Sequence, residues 1–252
     1  MNIRLISVLL TVLTTTCALA AQPVALFDQA HGQRFVIEKS GELNLGALAS
    51  ALASAGFQVR STDKPLTAQS LTGVKALITS GGFVPFSAQE NEAVGNFLKG
   101  GGNLAVMLHI APSYETLLTS LGITASSGVV HETENVEAIN SLDFKVADLD
   151  RHPLFDGIGY FSIYGGWAIV DHADTALIVA RTSKAAWIDL NRNKVRDERI
   201  EPLTMLGMCA VGTIGSGRFA IFGDDAIFQD RYFTGNNAKL GANLAKWLLE
   251  GK

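Results

Sequence analysis

The sequence predicts an α/β fold in which a mostly parallel central sheet is covered by helices. Short apolar runs alternate with helical patterns from Pro23 onward, which is typical of parallel strands joined by crossover helices. An apolar run at 219–222 leads into the turn Gly223-Asp224-Asp225 and then into an amphipathic helix that ends near Leu249. No Pro/Ser-rich linker or charge run divides the chain, so we predict one domain at 21–252.

The first half of the chain gives the clearest elements, because its apolar runs are short and its helical patterns have marked ends. Leucines with helical spacing precede Gly56, which supplies a stop. Ser87 and Glu90 have the spacing of a capping box, which starts another helix. In chain order these features predict a strand at 24–27, a helix around 45–52, strands at 57–60 and 76–79, a helix at 87–98, a strand at 104–108 and a helix at 114–121.

The second half is less regular between residues 123 and 180, and we predict a β-rich middle insertion there. No period recurs in the chain, which excludes a repeat protein. The predicted strands of this half lie at 144–146, 161–163, 176–180, 186–188, 203–211 and 219–222. The strands at 186–188 and 203–211 are expected to pair across a polar loop, and the last strand is expected to return to the parallel sheet.

The first twenty residues have the pattern of a cleaved secretory signal peptide. A charged start at Arg4 is followed by a short apolar run and by small residues, which predicts cleavage near Ala20-Ala21. The run is too short for a membrane span, so we predict a periplasmic or secreted protein without a permanent membrane anchor. The net charge of −4 and the absence of a basic block argue against nucleic acid as a partner.

Polar residues follow the ends of four predicted strands, where open parallel sheets bind their ligands. Either these residues form one ligand pocket, or they cap turns and bond the nearby backbone; the sequence leaves both open. The glycine pair among them is no phosphate loop, because no Lys-Ser/Thr pair follows it, and we predict no nucleotide cofactor. The candidate ligand-binding residues are Asp28, His31, Gly81, Gly82, His109, Asp224 and Asp225, and His31 and His109 are the candidate bases.

A second cluster lies in the polar loop that starts at Asp189, where oxygen-bearing residues have the order of a calcium loop. Lys194 stands where such a loop has its turn glycine, and the last carboxylate comes one position late, so any Ca²⁺ is expected to be weakly bound and structural. The alternative is an Asx-rich loop held by its own side-chain to backbone hydrogen bonds. The candidate calcium ligands are Asp189, Asn191, Asn193, the carbonyl of Val195, Asp197 and Glu201.

Several short motifs, taken together, resemble the class I glutamine amidotransferase-like domains of exported proteins, of gliding-motility ABC-transporter auxiliary proteins and of intraflagellar transport proteins. The motifs are the turn Asp28-Gln29-Ala30-His31-Gly32, the strand and glycine pair at 76–82, the helix end at 118–123, residues 152–158, the Asp189 loop and residues 217–249. The resemblance implies a flavodoxin-like three-layer sandwich. Amidotransferases of this class have a nucleophilic cysteine after a central strand, whereas His109-Ile110-Ala111-Pro112 stands at that turn here.

The missing nucleophile leads us to expect a non-catalytic binding or assembly domain in an envelope or ABC-transport system. Its expected partners are a small polar ligand, sugar-like or peptide-like, or a protein of the cell envelope. The alternative is a hydrolase or carbohydrate-modifying enzyme in which His31 or His109 is the base and Asp28 or Asp224 orients it. Fold resemblance alone does not decide between these functions.

Overall fold

The structure, a computed structural model, describes residues 21–109, 114–137 and 139–250, so the predicted signal peptide lies outside the described residues. Within these ranges none of the helices is long and apolar enough to cross a membrane. The α-helices are α1 (Gly46–Ala55), α2 (Ala88–Lys99), α3 (Glu115–Ser120) and α4 (Gly235–Leu249). The strands are β1 (Val24–Asp28), β2 (Gln58–Thr62), β3 (Val74–Ser80), β4 (Asn103–Met107), β5 (Ile123–His131), β6 (Asp143–Val146), β7 (Asp148–Leu149), β8 (Phe161–Tyr164), β9 (Trp167–His172), β10 (Ala176–Arg181), β11 (Trp187–Asp189), β12 (Gly207–Ile214) and β13 (Gly217–Phe222).

Five parallel strands form one half of the main sheet, in the order β2-β1-β3-β4-β13. The predicted return of the last strand to the parallel sheet is confirmed. Numbered by appearance among the parallel strands, this order is 2-1-3-4-5. It reverses between β1 and β3, and ligands of such sheets bind beyond the carboxyl ends of the strands at that point.

Six further strands make the complete sheet mixed. β12 is antiparallel to β13, and β9, β5, β11, β10 and β7 extend this half through antiparallel pairs. The prediction of a mostly parallel sheet was therefore wrong for the sheet as a whole, because the β-rich middle mostly joins the main sheet instead of standing apart from it. β6 and β8 form a separate two-stranded sheet.

The strands at both ends of the polar loop also pair differently from the prediction. β11 pairs with β5, while β12 pairs with β13, β10 and β9; a single bridge from Ala186 to Thr204 joins the two segments. β5 itself was missed, because Ser126-Ser127-Gly128 inside it has the composition of a turn. Gly128 is required there: a Cβ at this position would overlap the carbonyl of Asp189 on the neighbouring strand.

Helices cover both faces of the parallel half and give three layers. α1 and α4 pack on the face that carries Phe27 and Ile78, and α2 and α3 pack on the opposite face, which carries Leu26 and Leu77. These neighbouring residues point to opposite faces because side chains alternate along a strand. Two separate apolar cores result, one on each side of the sheet.

The predicted helix signals are confirmed where they were strongest. The hydroxyl of Ser87 accepts a hydrogen bond from the N–H of Glu90, and the carboxylate of Glu90 accepts one from the N–H of Ser87, which completes the capping box of α2. Gly56 ends α1 with φ of 114°, in the left-handed region. Both helix ends are therefore fixed by local hydrogen bonding that the sequence already encodes.

Candidate functional site

The carboxyl ends of β1, β3, β4 and β13 lie side by side, so the predicted residues at their tips are brought to one edge of the sheet. The register places Asp28 beside Thr79 and Ser80 beside Met107. The tip residues divide into two groups with different character. One group is a closed, buried hydrogen-bond network, and the other lines an open cleft.

The closed network is centred on His31, which is 2% exposed. Its Nδ1 lies 2.8 Å from Oδ2 of Asp28, and its Nε2 lies 3.1 Å from Oε1 of Glu90. The imidazole also stacks on Phe86, with ring centroids 3.9 Å apart. Both ring nitrogens are therefore occupied by carboxylates, and neither is free for a ligand.

The same network continues from Asp28 to the glycine pair. The hydroxyl of Thr79 donates to Oδ2 of Asp28 at 2.7 Å, and the hydroxyl of Tyr114 lies 2.8 Å from that of Thr79. Because the Thr79 proton is used by Asp28, the Tyr114 hydroxyl is the donor of this second bond. The N–H of Gly82 then donates to the Tyr114 oxygen at 2.8 Å, so the tips of β1 and β3 are tied to the start of α3 inside the protein.

The charges of the network support an ionised histidine. Burial alone lowers the pKa of His31, but the hydrogen bond and charge of Asp28 and the charge of Glu90 outweigh it, so the pKa is raised above its ordinary value. Glu90 is also buried, yet its hydrogen bonds from Ser87 and Leu66 and the charge of His31 lower its pKa. The group is a salt-bridged core in which the expected ligand residues Asp28 and His31 hold the fold together.

The open group is built around His109, whose side chain is 23% exposed. Its Nδ1 lies 2.9 Å from Oδ1 of Asp225, and no group in the described residues pairs with its Nε2. Asp224 instead accepts backbone N–H bonds from Tyr164 and Ala226, at 2.7 and 2.9 Å. The carboxylate that orients His109 is thus Asp225, and not Asp28 or Asp224 as the alternative enzymatic hypothesis had it.

Gly81 allows the two groups to approach each other. Its φ of 59° is in the left-handed region, and a Cβ there would overlap Oδ2 of Asp225. That carboxylate oxygen and the hydroxyl of Ser80 are both buried without a hydrogen-bond partner among the described residues. Unpaired buried oxygens at strand tips are uncommon, and they mark this edge as a place for a bound polar group.

A cleft of about 300 Å³ opens beside His109. Its size is at the lower end of the range for small-molecule sites. Tyr164 and Tyr232 stack on each other in its wall, with ring centroids 3.8 Å apart. The cleft, called the His109 cleft below, is lined by Phe35, Leu43, His109, Val129, Leu142, Tyr164, Gly165, Asp224, Asp225, Ala226, Gln229 and Tyr232.

Burial shifts the ionisation of the cleft carboxylates. Loss of solvent, with the nearby charge of Asp225, raises the pKa of Asp224 to about 8. Burial also raises the pKa of Asp225, although the hydrogen bond from His109 opposes this. Burial and the charge of Arg34 lower the pKa of His109. The hydrogen bond and charge of Asp225 and the charge of Asp224 outweigh both effects, so the pKa is raised. The pair therefore favours an imidazolium whose Nε2–H is a hydrogen-bond donor.

The Asp189 loop forms as a compact turn in which carboxylates accept backbone N–H groups. Oδ1 and Oδ2 of Asp189 bond the N–H groups of Asn193 and Lys194, and Glu201 bonds those of Leu190, Asn191 and Asp197. Lys194, at the place of the turn glycine, has φ of 63°. In the described residues no three His, Cys, Asp or Glu side chains are grouped as metal ligands. Calcium binding by this loop stays a prediction.

Sequence reasoning missed the residues that complete both groups. Glu90 had been assigned only to helix capping, and Thr79 and Tyr114 are an ordinary strand residue and an ordinary helix-start residue. The aromatic walls of the His109 cleft come from segments without regular structure or from the irregular middle. The glycine pair Gly165-Gly166 ends β8 directly after Tyr164, and this is the sequence signal that could have pointed to Tyr164.

The comparisons with known proteins bear on the fold alone. No family model and no curated protein matches the sequence. The mmIFT52 N-terminal domain matches with a TM-score of 0.70 and 22% identity, over 90% of this chain and 98% of that one. A protein titled cytoplasmic protein STM1381, from Salmonella typhimurium LT2, gives a TM-score of 0.52 and 11% identity over 90% and 98% of the two chains.

Proteins with glutamine amidotransferase-like folds are also among the structural neighbours. One is a ThuA-like protein from Bacteroides uniformis, with a TM-score of 0.49, 13% identity and coverage of 91% of this chain and 93% of that one. The chain is similar in fold to the mmIFT52 N-terminal domain and to the STM1381 protein.

Proposed function

We propose that the chain is an exported, non-catalytic binding domain that holds a small polar ligand in the His109 cleft. The observation that carries this proposal is the orientation of His109. Asp225 fixes Nδ1, and Nε2 remains without a partner in the described residues on a ring that lines the cleft. A fixed donor at the wall of a concave site is the usual means of orienting a small ligand.

The ligand chemistry follows from the groups around this donor. An imidazolium Nε2–H favours an oxygen acceptor, and the charge of Arg34 beside His109 adds to this preference. Burial raises the pKa of Asp224 to about 8, which reduces the negative charge that this carboxyl presents to an anion at pH 7. The half-buried Tyr164 and Tyr232 pair in the cleft wall offers an apolar surface to a ring or side chain. A sugar, a sugar acid or a short peptide carries both features.

Non-catalytic binding is favoured over amidotransferase chemistry by the position of Cys209. Cys209 is buried in β12, and burial raises the pKa of its thiol. A thiol that stays protonated and inaccessible is a poor nucleophile. We also propose that the protein lies in the periplasm or outside the cell. As one of the exported amidotransferase-like domains, it would be part of an envelope or ABC-transport system.

Melting measurements with defined compounds test the proposal. Neutral sugars, uronic acids and dipeptides are added singly at about 10 mM, where a ligand with a Kd of about 1 mM stabilises the fold by roughly 1.4 kcal/mol. We expect at least one class to raise the melting temperature of the unsubstituted protein. His109→Gln and Asp225→Asn should each remove that shift.

His172→Gln is the matched control, because His172 lies at the end of β9 and its side chain bonds the carbonyl of the neighbouring residue Ala173. It should keep the shift of the unsubstituted protein. The proposal is wrong if no compound class raises the melting temperature, or if both cleft variants respond as the unsubstituted protein does.

A second candidate function is hydrolysis with His109 as general base, and the carboxylate-histidine pair favours it specifically. A histidine held at Nδ1 by a buried carboxylate, with Nε2 open to a cleft, has the arrangement needed to take a proton from water or a hydroxyl. A base must be neutral, so turnover would rise with pH through the raised pKa of His109. Binding of an acidic ligand without turnover would weaken over the same pH range, and this opposite trend separates the two functions.

A further inference from the structure

A second, larger cavity lies at the same edge of the sheet but against the opposite face, between α3 and the strands β5 and β9. Its volume is about 470 Å³, which is within the range of small-molecule sites. At roughly 30 Å³ per non-hydrogen atom it holds about 15 such atoms. None of the residues that line the His109 cleft takes part in it, so it is a separate site.

The deep wall of this cavity is apolar. Leu108, Leu118, Ile123 and Trp167 line it, and all four belong to the core on the α2/α3 side of the sheet. Trp167 is 7% exposed, and its indole Nε1 is buried without a hydrogen-bond partner among the described residues. A buried indole N–H usually has an acceptor, and this one has none among the described residues.

Charged and hydroxyl side chains complete the lining. Arg192 comes from the Asp189 loop, is exposed, and makes no ion pair with a described residue. Glu115 is the one acidic residue in the described lining, and Thr119, Thr124 and Ser127 add hydroxyl groups. The free guanidinium of Arg192 favours an anionic oxygen acceptor, while Glu115 opposes a negative charge.

We infer that this cavity binds an amphipathic carboxylic acid, with its chain against the apolar wall and its carboxylate toward Arg192. The cavity volume corresponds to a straight-chain acid of about ten to twelve carbons. The apolar wall accepts the chain of an acid or of an alcohol alike. Arg192 adds a charge contribution that only the acid receives.

Calorimetric titration with octanoate, decanoate and dodecanoate tests this inference. Burying each methylene raises affinity about fourfold, so each two-carbon step should raise it roughly 16-fold until the cavity is full. Arg192→Gln should weaken decanoate and leave decanol unchanged.

Steric and positional controls separate this cavity from general adsorption. Ala125→Leu places a larger side chain in the lining and should abolish decanoate binding, whereas Ala53→Leu on the exposed side of α1 should have no effect. His109→Gln should also leave decanoate binding unchanged, so failure of one site does not imply failure of the other. Absence of decanoate binding, affinity that does not depend on chain length, or equal binding by folded Ala125→Leu overturns the inference.

Discussion

Removing the hydroxyl of Tyr114 is the most direct test of the closed network. Tyr114→Phe deletes the hydrogen bond to Thr79, which is worth about 1 kcal/mol net, and leaves the N–H of Gly82 buried without an acceptor, which costs about 1–3 kcal/mol. The expected loss in the free energy of unfolding is therefore about 2–4 kcal/mol. In a domain of this size that loss lowers the melting temperature by roughly 4–16 °C.

Urea unfolding followed by circular dichroism measures this change, with Tyr160→Phe as the control. Tyr160 is 36% exposed, and the same substitution there should change stability by less than about 0.5 kcal/mol. A double-mutant cycle with Thr79→Val should give a coupling energy of about 0.5–3 kcal/mol between the two hydroxyls. A Tyr114→Phe protein no less stable than Tyr160→Phe would refute the argument that this network supports the sheet edge.

Two further predictions concern pH and calcium. Because the pKa of His31 is raised in the folded state by Asp28 and Glu90 over the opposing effect of burial, its contribution to stability is complete below about pH 6.5 and is lost as pH rises through the raised value. Urea unfolding at a series of pH values should show this decline, and His31→Gln should flatten it; an identical slope in both proteins contradicts the assignment. For the Asp189 loop, a Kd of about 1 mM predicts that 10 mM Ca²⁺ stabilises the protein by roughly 1.4 kcal/mol, or about 3–6 °C in melting temperature. Asp189→Asn should remove this shift, and no response to Ca²⁺ in the unsubstituted protein would exclude the site.

The parallel half of the fold was predictable because its signals are local. The capping box at Ser87, the left-handed stop at Gly56 and the short apolar runs each fix an element without help from distant residues. The antiparallel half depends on long-range pairing. β5 contains a serine-glycine stretch with the composition of a turn, and it becomes a strand because β9 and β11 pair with it. Tertiary pairing overrides local preference in such a segment.

The candidate site was predictable only as a location. The rule that ligands bind beyond the carboxyl ends of parallel strands brought Asp28, His109 and Asp225 to one edge correctly. The rule gave no information on which side chains pair with each other. His31 pairs with Glu90, which is 59 positions away in the chain, and no spacing rule describes such an interaction. The tyrosines of the cleft belong to irregular segments, whose placement depends on the completed sheet.

The division of the sheet edge explains why the proposed ligand site is not at the point where strand order reverses. That point, between β1 and β3, is filled by the Asp28, His31 and Thr79 network, and Phe86 covers the imidazole. Glu90 connects this network to α2, because the same carboxylate caps the helix and pairs with His31. The His109 cleft lies two strands away, at the tips of β4 and β13. The antiparallel half of the sheet begins there and contributes residues to the cleft lining. The charge-paired network beside the cleft holds Gly82 through Tyr114, and Asp225 fixes the ring of His109. Such fixed surroundings reduce the cost of orienting His109 toward a ligand.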